Sequence, residues 1–186
     1  FDKAKTELSQ LFQNYQRQYE IEEKNINLFF TLIQEKNVYL TIDNCFDLLK
    51  IAKLFEVKKL ELLINKYRRI HQKDVDFLSQ LLIQQYSNKY EEIFKSFDPK
   101  NNIENELTEQ IENCLKSKYF AKLPISSIHR MIENSDRNSF SSDSLYRFIK
   151  EKIEERYVLF SFIDLQTLSD ENFRELAIGF RENNSK

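Results

Sequence analysis

The chain has 186 residues, 41% of them hydrophobic, and its 28 basic and 30 acidic side chains leave a formal net charge of -2. This length can bury a substantial core, which disfavours disorder throughout, and the balanced charge provides no overall field that would attract nucleic acid or anionic lipid. Only one Gly and two Pro are present, which disfavours sandwiches, barrels and phosphate-binding loops, because those need many tight turns and positive φ angles.

In the first part of the chain, apolar residues recur at helical spacing. The spacing predicts helices over residues 3–15, 26–33, 41–55 and 58–69, with strand-like patterns at 19–22 and 38–40. Thr41 followed by Asn44 is typical of a helix N-terminus, where a polar side chain caps free amides. In the helix over 58–69 we expect Leu60, Leu63 and Ile64 to face inward, and the first unit to end near residue 70.

Beyond residue 73 the helical period continues to the end of the chain. It predicts helices near residues 75–86, 90–97, 107–115, 125–134, 145–157 and 169–180, separated in part by polar loops at 98–102 and 135–141. In the last of these helices Phe173 is expected to face the core. The sequence therefore predicts a mostly α chain with a small β component in its first third.

The two cysteines, Cys45 and Cys114, cannot build a disulfide framework, and both occur where a small apolar side chain would serve equally well. They favour a reducing, cytoplasmic setting, with a nuclear or cytoskeleton-associated one also compatible. The longest apolar runs, 26–33 and 157–163, are far shorter than the roughly 20 residues of a membrane span, so no membrane partner is expected. Since the chain starts at Phe1 without a leader, we expect natural sequence upstream of it.

The first 70 residues carry an ordered set of apolar segments. They are Phe1 with Ala4, Leu8 and Phe12, then Tyr19–Ile21, Phe29–Ile33, Val38–Asn44, Leu48 with Leu49, and Ala52–Leu60. This order resembles the later two-thirds of a BTB/POZ domain, and the stretch from Leu40 to Leu63 is most similar to the paired helices that close that fold. Gln34 and Lys36 stand where the family usually has Tyr and Gly.

Residues 73–181 resemble the all-helical BACK domain that often follows BTB. The resemblance is carried by Leu123 with Pro124, Ile128–Ile132, Ser142–Phe148 and Arg156–Phe162, whereas the tryptophan usual in that domain is absent. The implied architecture is an N-terminally incomplete BTB/POZ-like α/β unit over residues 1–70 and a BACK-like helical bundle over 73–181.

The resemblance implies a non-catalytic adaptor that presents clients to a cullin-type ubiquitin ligase. In that family the cullin meets the helix and loop before the short strand together with the closing helices, which correspond here to residues 30–37 and the stretch ending at Arg69. Phe30, Gln34 and Glu35 are therefore candidate partner-binding residues. Homodimerisation would use BTB residues upstream of Phe1. The alternative is a structural scaffold subunit of a large intracellular assembly with no ubiquitin role.

A second candidate surface is basic. Residues 50–73 hold eight basic residues and only two acidic ones, Glu56 and Glu61. The basic residues are Lys50, Lys53, Lys58, Lys59, Lys66, Arg68, Arg69 and Lys73. Such a run is either the solvated face of a helix pair or a docking surface for an acidic partner protein. In the second case Lys58, Lys59, Arg68 and Arg69 are the partner-binding residues.

Catalytic or metal-binding chemistry is not indicated. His71 and His129 have no second ligand at helical spacing, so neither predicts a zinc site. An apolar setting would raise the pKa of Cys45 and blunt it as a nucleophile. The paired acidic residues are adjacent in sequence and diverge on a helix instead of converging on a substrate. We therefore expect no catalytic residues, no metal and no cofactor.

Overall fold

The chain's computed structural model describes residues 21–33, 38–86 and 103–183, with the single positions 10, 13, 14 and 17. These residues are mostly helical, as predicted, and no β-strand occurs among them. They fall into two compact units, one containing the residues up to 72 with 84–86, the other containing 73–83 with 103–183. The helices predicted at 3–15 and 90–97 fall largely or wholly outside the described residues.

Within residues 21–33 and 38–72, which the structure describes, the first unit forms the helices α1 (Glu23–Ile33), α2 (Ile42–Leu54) and α3 (Lys58–Ile70). The central helix, α2, packs against both α1 and α3, and it is the most deeply buried of the three. The buried apolar side chains of this unit are Ile21, Ile26, Phe29, Cys45, Phe46, Leu48, Leu49, Ile51, Ala52, Leu60 and Ile64. Because α2 buries apolar side chains against both of its neighbours, the face of α3 that carries Leu60 and Ile64 points inward.

The N-terminus of α2 is capped as the sequence predicts. The side-chain oxygen of Asn44 accepts a hydrogen bond from the Thr41 amide at 2.9 Å, and its amide group donates to the Tyr39 carbonyl at 3.0 Å. The strand predicted at 38–40 is not found, since residues 38–40 have no regular secondary structure. With Tyr39 O already bonded to the cap and its side chain 84% exposed, this segment lacks the features of a sheet.

The turn between α2 and α3 is made at Glu56, which has a φ of 55°. A non-glycine residue in this left-handed region costs roughly 1–2 kcal/mol. Two backbone hydrogen bonds close the turn, from Val57 N to Ala52 O at 2.7 Å and from Lys58 N to Glu56 O at 3.0 Å. The strained residue thus sets the direction in which α3 leaves α2.

A buried polar network ties α1 to α2. One carboxylate oxygen of Asp47 accepts from the Glu22 amide at 3.0 Å and from the Asn25 side chain at 2.9 Å. The other lies 3.1 Å from the ammonium of Lys50, which is buried. Lys50 was predicted to belong to the basic surface, and this prediction is wrong because its charge is neutralised inside the unit.

In its described residues, 73–83 and 103–183, the second unit contains residues 75–83 of α4 (Val75–Tyr86) and six further helices. These are α5 (Ile103–Thr108), α6 (Ile111–Cys114), α7 (Ile125–Asn134), α8 (Ser142–Lys150), α9 (Ile153–Arg156) and α10 (Asp170–Asn183). Three short 3₁₀ helices, Phe120–Lys122, Arg137–Ser139 and Tyr157–Phe162, lie between them. The last of these packs against α7, α8 and α9, so that the unit closes around a core centred on Phe120, Phe148 and Leu159.

Two helices that the sequence predicts as continuous are broken. The predicted helix 107–115 stops at Thr108, because the Leu107 carbonyl accepts from the Gln110 amide and from the Cys114 thiol. The predicted helix 145–157 stops at Lys150, and the chain turns so that the buried guanidinium of Arg156 donates to the Phe148 carbonyl. Each break allows a buried polar group to form a hydrogen bond. The helical period of the sequence does not reveal such bonds.

The last helix, α10, is held by polar contacts. Asp143 on α8 accepts from Ser169 N at 3.0 Å, Ser169 Oγ at 2.9 Å and Asn172 Nδ2 at 2.6 Å. Lys150 and Glu175 form an ion pair at 2.5 Å. Phe173, which was predicted to face inward, is 46% exposed, because the buried side of the first turn is taken by Asn172.

Candidate functional site

The strongest candidate site is the side of α3 that faces away from its own unit. Leu60 and Ile64 are buried against the core, at 7% and 3% exposure. The residues of α3 that are exposed lie on the sides of the helix that turn away from this pair. We call this exposed set the outer face of α3: Lys58, Lys59, Leu62, Leu63, Lys66, Arg69 and Ile70.

Two large apolar side chains on the outer face are mostly exposed to solvent. Leu62 is 70% exposed and Ile70 is 69% exposed, and Leu63 between them is also exposed. Scattered single apolar residues are normal on a surface, but here three lie within nine residues of one helix face. A cluster of this kind is typical of the centre of a protein–protein contact.

The charges on the outer face are all positive. Lys59, Lys66 and Arg69 are exposed, and none of them has an ion-pair partner in the ranges that the structure describes. Lys58 lies 3.3 Å from Glu61, a pair in which the lysine is largely in solvent and which therefore holds little energy. The outer face thus combines exposed apolar surface with unneutralised positive charge.

The structure brings three of the predicted partner-binding residues together on this face: Lys58, Lys59 and Arg69. Arg68 is half-buried and lies to one side of it. Arg68 and Arg69 also occupy the last turn of α3, where basic residues are favourable next to the helix dipole. Part of the basic run is therefore explained by helix stability alone.

The predicted residues before the short segment 38–40 are placed elsewhere or not described. Phe30 lies on α1 with 39% exposure, and its ring centre is 6.1 Å from that of the buried Phe29. Gln34 and Glu35 lie outside the described residues. Phe30 is thus the one described candidate of this group, and its exposure is modest beside that of Leu62.

Sequence reasoning missed Leu62 and Ile70, the most exposed apolar residues of the site. Residues 60–64 read Leu-Glu-Leu-Leu-Ile, so that a period of 3.6 can be drawn through several of them. The prediction placed Leu63 inward with Leu60 and Ile64, whereas the structure leaves it 46% exposed. The sequence did contain a sign of this arrangement. Residues 62 and 70 do not fall on the helical stripe that contains residues 60 and 64, so their apolar side chains indicate a second apolar surface on the helix.

Both thiols are poor nucleophiles. Cys45 and Cys114 are free and buried, and burial raises the pKa of each to about 12. The prediction that an apolar setting raises the pKa of Cys45 is confirmed. A thiol with such a pKa is almost wholly protonated at neutral pH, and the thiolate is the nucleophilic form.

The histidines are engaged with their own helices. His129 Nδ1 lies 3.8 Å from Glu133, and its ring contacts Phe162 edge-on at 4.9 Å. The His71 ring centre is 4.3 Å from that of Tyr67. Within the described ranges, no group of three or more His, Cys, Asp and Glu side chains is arranged to hold a metal ion.

The second unit has an open, largely polar pocket of about 310 Å³ near the N-terminus of α8. Its lining includes Arg137, Phe140, Ser142, Phe162 and Thr167. The hydroxyls pair with their neighbours, since Ser142 Oγ lies 2.8 Å from Thr167 Oγ1 and accepts from Asp164 N at 3.2 Å. The pocket is therefore less promising than the outer face of α3 as a binding site.

No described helix is both long enough and apolar enough to span a bilayer. No protein-family model matches the chain, and searches of curated proteins and of solved structures found no significant match. The assignment of a function therefore rests on the chemistry of the residues themselves.

Proposed function

We propose that this chain is a non-catalytic protein-interaction adaptor that binds a partner protein through the outer face of α3. The observation that carries the proposal is the exposure of Leu62 and Ile70 on a helix whose opposite side is anchored in a core. A partner that covered both would gain about 1–2 kcal/mol from each side chain, at roughly 25 cal/mol per Å² of apolar surface.

The anchoring of α3 also supports a binding role. Leu60 and Ile64 pack into the unit, and α2 lies along the inner side of α3. The outer side chains are therefore presented from a rigid helix, and little backbone ordering has to accompany binding. Exposed apolar residues with basic neighbours resemble interface hot spots, in which the surrounding contacts exclude water from the apolar groups.

The finer proposal is a BTB–BACK adaptor of a cullin-type ubiquitin ligase. It is supported by the resemblance of Leu40–Leu63 to the closing helix pair of BTB, together with the helix, turn and helix at Ile42–Ile70. The BTB/POZ-like unit would occupy residues 1–70 and the BACK-like domain 73–181. The short strand expected at 38–40 is not formed, so the β-strands of such a unit would have to lie outside the described residues. Its homodimer would need sequence upstream of Phe1. Two free, buried thiols support a reducing compartment such as the cytoplasm.

The test is affinity purification from the protein's own cell extract, with mass spectrometry of what is captured. The informative variant replaces both apolar residues of the outer face, Leu62→Ser with Ile70→Ser. The matched control is Leu165→Ser with Ile178→Ser, which removes two side chains of comparable exposure, 54% and 56%, from the second unit.

We expect the wild type and the control to capture the same partner in fixed proportion, and the outer-face variant to lose it. A cullin among the captured proteins supports the ligase adaptor, whereas a filament or other large assembly favours the scaffold subunit. Equal capture by all three proteins would contradict the proposal that the outer face binds the partner.

A further inference from the structure

The outer face of α3 has a specific order of side chains. Four exposed residues stand four positions apart along one row of the helix: Lys58, Leu62, Lys66 and Ile70. Because the helix rises 1.5 Å per residue, neighbours in this row are about 6 Å apart and the row is about 18 Å long. Basic and apolar side chains therefore alternate along the face instead of forming separate stripes.

This alternation argues against an anionic membrane as the occupant. A helix that lies in a membrane surface gathers its apolar residues on one side and its basic residues on the other, so that one side enters the acyl region. On α3 the apolar side that would do so, carrying Leu60 and Ile64, is already used by the protein core. Burying Leu62 in lipid would draw Lys66 and Arg69 into the same low-dielectric region.

Nucleic acid fits the outer face no better. A phosphate backbone is bound by basic groups with aromatic side chains for base stacking, and this face offers aliphatic side chains at the central positions. Leu62 and Ile70 would remain in water or be covered by phosphates, which gains nothing from their apolar area. A polypeptide with acidic and apolar side chains complements both kinds of group at once.

The conformation of that polypeptide follows from its backbone. An added strand needs a sheet edge to pair with, and the part of the chain that the structure describes has no strand. A helix satisfies its own backbone hydrogen bonds, and the ridge formed by residues four apart on one helix fits the groove between such ridges on another. The row from Lys58 to Ile70 is a ridge of this type.

Building on the function proposed above, we infer that the partner segment on the outer face of α3 is an acidic amphipathic helix. Its apolar side chains would lie beside Leu62 and Ile70, and its carboxylates beside Lys59, Lys66 and Arg69. The carboxylates would mainly raise the association rate and select the partner, and the apolar contacts would set the dissociation rate.

The probe is a synthetic helical peptide of about 18 residues, or about five turns, with leucines on one face and glutamates on the others. Binding to the whole 186-residue chain is measured by fluorescence anisotropy. Two comparison peptides have the same leucines with lysine in place of glutamate, or the same composition with the leucines distributed around the helix. Vesicles of phosphatidylserine and phosphatidylcholine test the membrane alternative.

Two protein variants test whether the positive charges of the outer face contribute to peptide binding. Lys66→Glu with Arg69→Glu reverses two charges on the outer face, and Arg137→Glu with Arg174→Glu reverses two exposed charges in the second unit as the control. We expect the acidic amphipathic peptide to bind at least about tenfold more tightly than either comparison peptide. The outer-face variant should lose about tenfold or more, while the control stays within about twofold of the wild type.

Different results would contradict the acidic helix and the adaptor function on which it rests. Capture of a partner that depends on Leu62 and Ile70, together with no preference for the acidic peptide, would leave the adaptor in place and overturn the acidic helix. Vesicle binding that the outer-face charge reversal abolishes, without peptide binding, would identify the occupant as lipid and overturn it as well. Equal affinity of the peptide for the wild type and the outer-face variant would exclude this face as its binding site.

Discussion

Leu62 and Ile70 lie eight residues apart on α3 and point into solvent, while Leu60 and Ile64 of the same helix point into the core. The four residues are similar in size and polarity, so their differing environments give a direct test of the assignment. A residue that serves binding can be removed without loss of fold, whereas a core residue cannot.

We expect Leu62→Ala and Ile70→Ala each to change the free energy of unfolding by less than about 0.5 kcal/mol, as is usual at exposed positions. Ile64→Ala should cost about 2–4 kcal/mol, because it removes buried methyl groups and leaves a cavity. Urea denaturation followed by circular dichroism measures all three. A loss of more than about 2 kcal/mol on truncating Leu62 would show that this side chain is part of a core.

The left-handed turn at Glu56 predicts a stabilising substitution. Glycine adopts a φ of 55° without the steric penalty that Glu56 carries, so Glu56→Gly should raise the free energy of unfolding by about 0.5–1 kcal/mol. Glu56→Ala keeps the Cβ and serves as the control, for which no gain is expected. Thermal melts of the three proteins decide the matter, and a lower midpoint for the glycine variant than for the alanine variant would contradict the left-handed turn.

The buried pair of Lys50 and Asp47 predicts a large loss on removal of one charge. In Lys50→Met the carboxylate of Asp47 stays buried and keeps its bonds from Glu22 and Asn25 but loses its cation. A buried charge without its counter-ion costs about 3–5 kcal/mol. The exposed Lys59→Met is the matched control, with almost no expected change in urea denaturation. Equal effects of the two variants would place Lys50 at the surface.

The docking of α10 should depend on the ionisation of Asp143. Hydrogen bonds from Asn172 and Ser169 hold the pKa of this carboxyl below its ordinary value of 3.8. Because the folded pKa is lowered, the stabilisation is present above the unfolded pKa and is lost as the pH falls through the folded pKa. At neutral pH, Asp143→Ala should speed amide hydrogen exchange in Asp170–Asn183 by about tenfold, through easier local opening.

Lowering the pH tests whether the charge of Asp143 is the cause of this effect. The difference in exchange between the wild type and Asp143→Ala should shrink as the pH is lowered below 3.8, once the carboxyl gains a proton. Amides of α2, which belongs to the first unit, provide the internal control and should be unaffected by the substitution. A difference that persisted unchanged at low pH would assign the effect to packing and not to the charge of Asp143.

The helical character of the chain, the cap at Thr41 and Asn44 and the burial of Cys45 could be predicted from the sequence, because each depends on a local pattern. The direction of Leu62 and Leu63 could not. Four of the five residues from 60 to 64 are apolar, so the helix period permits more than one inward face, and packing against α2 makes the choice.

Buried polar groups account for the other differences. Lys50 stands between the buried residues Leu49 and Ile51, and its position three residues after Asp47 was the available sign of a pair. The break after Lys150 depends on a bond between Arg156 and the Phe148 carbonyl, eight residues apart in sequence. A single sequence gives the period of a helix but not the contacts that interrupt it.

Photo-crosslinking in the native cell extract is the most direct test of partner binding through the outer face of α3. A benzoylphenylalanine is placed at position 62 or 70 on the outer face of α3, and at position 165 as an exposed control in the second unit. If the outer face binds a partner, positions 62 and 70 should form one shared protein adduct that is absent from position 165. Adducts that are missing from both outer-face positions, or that are the same at all three, would contradict it.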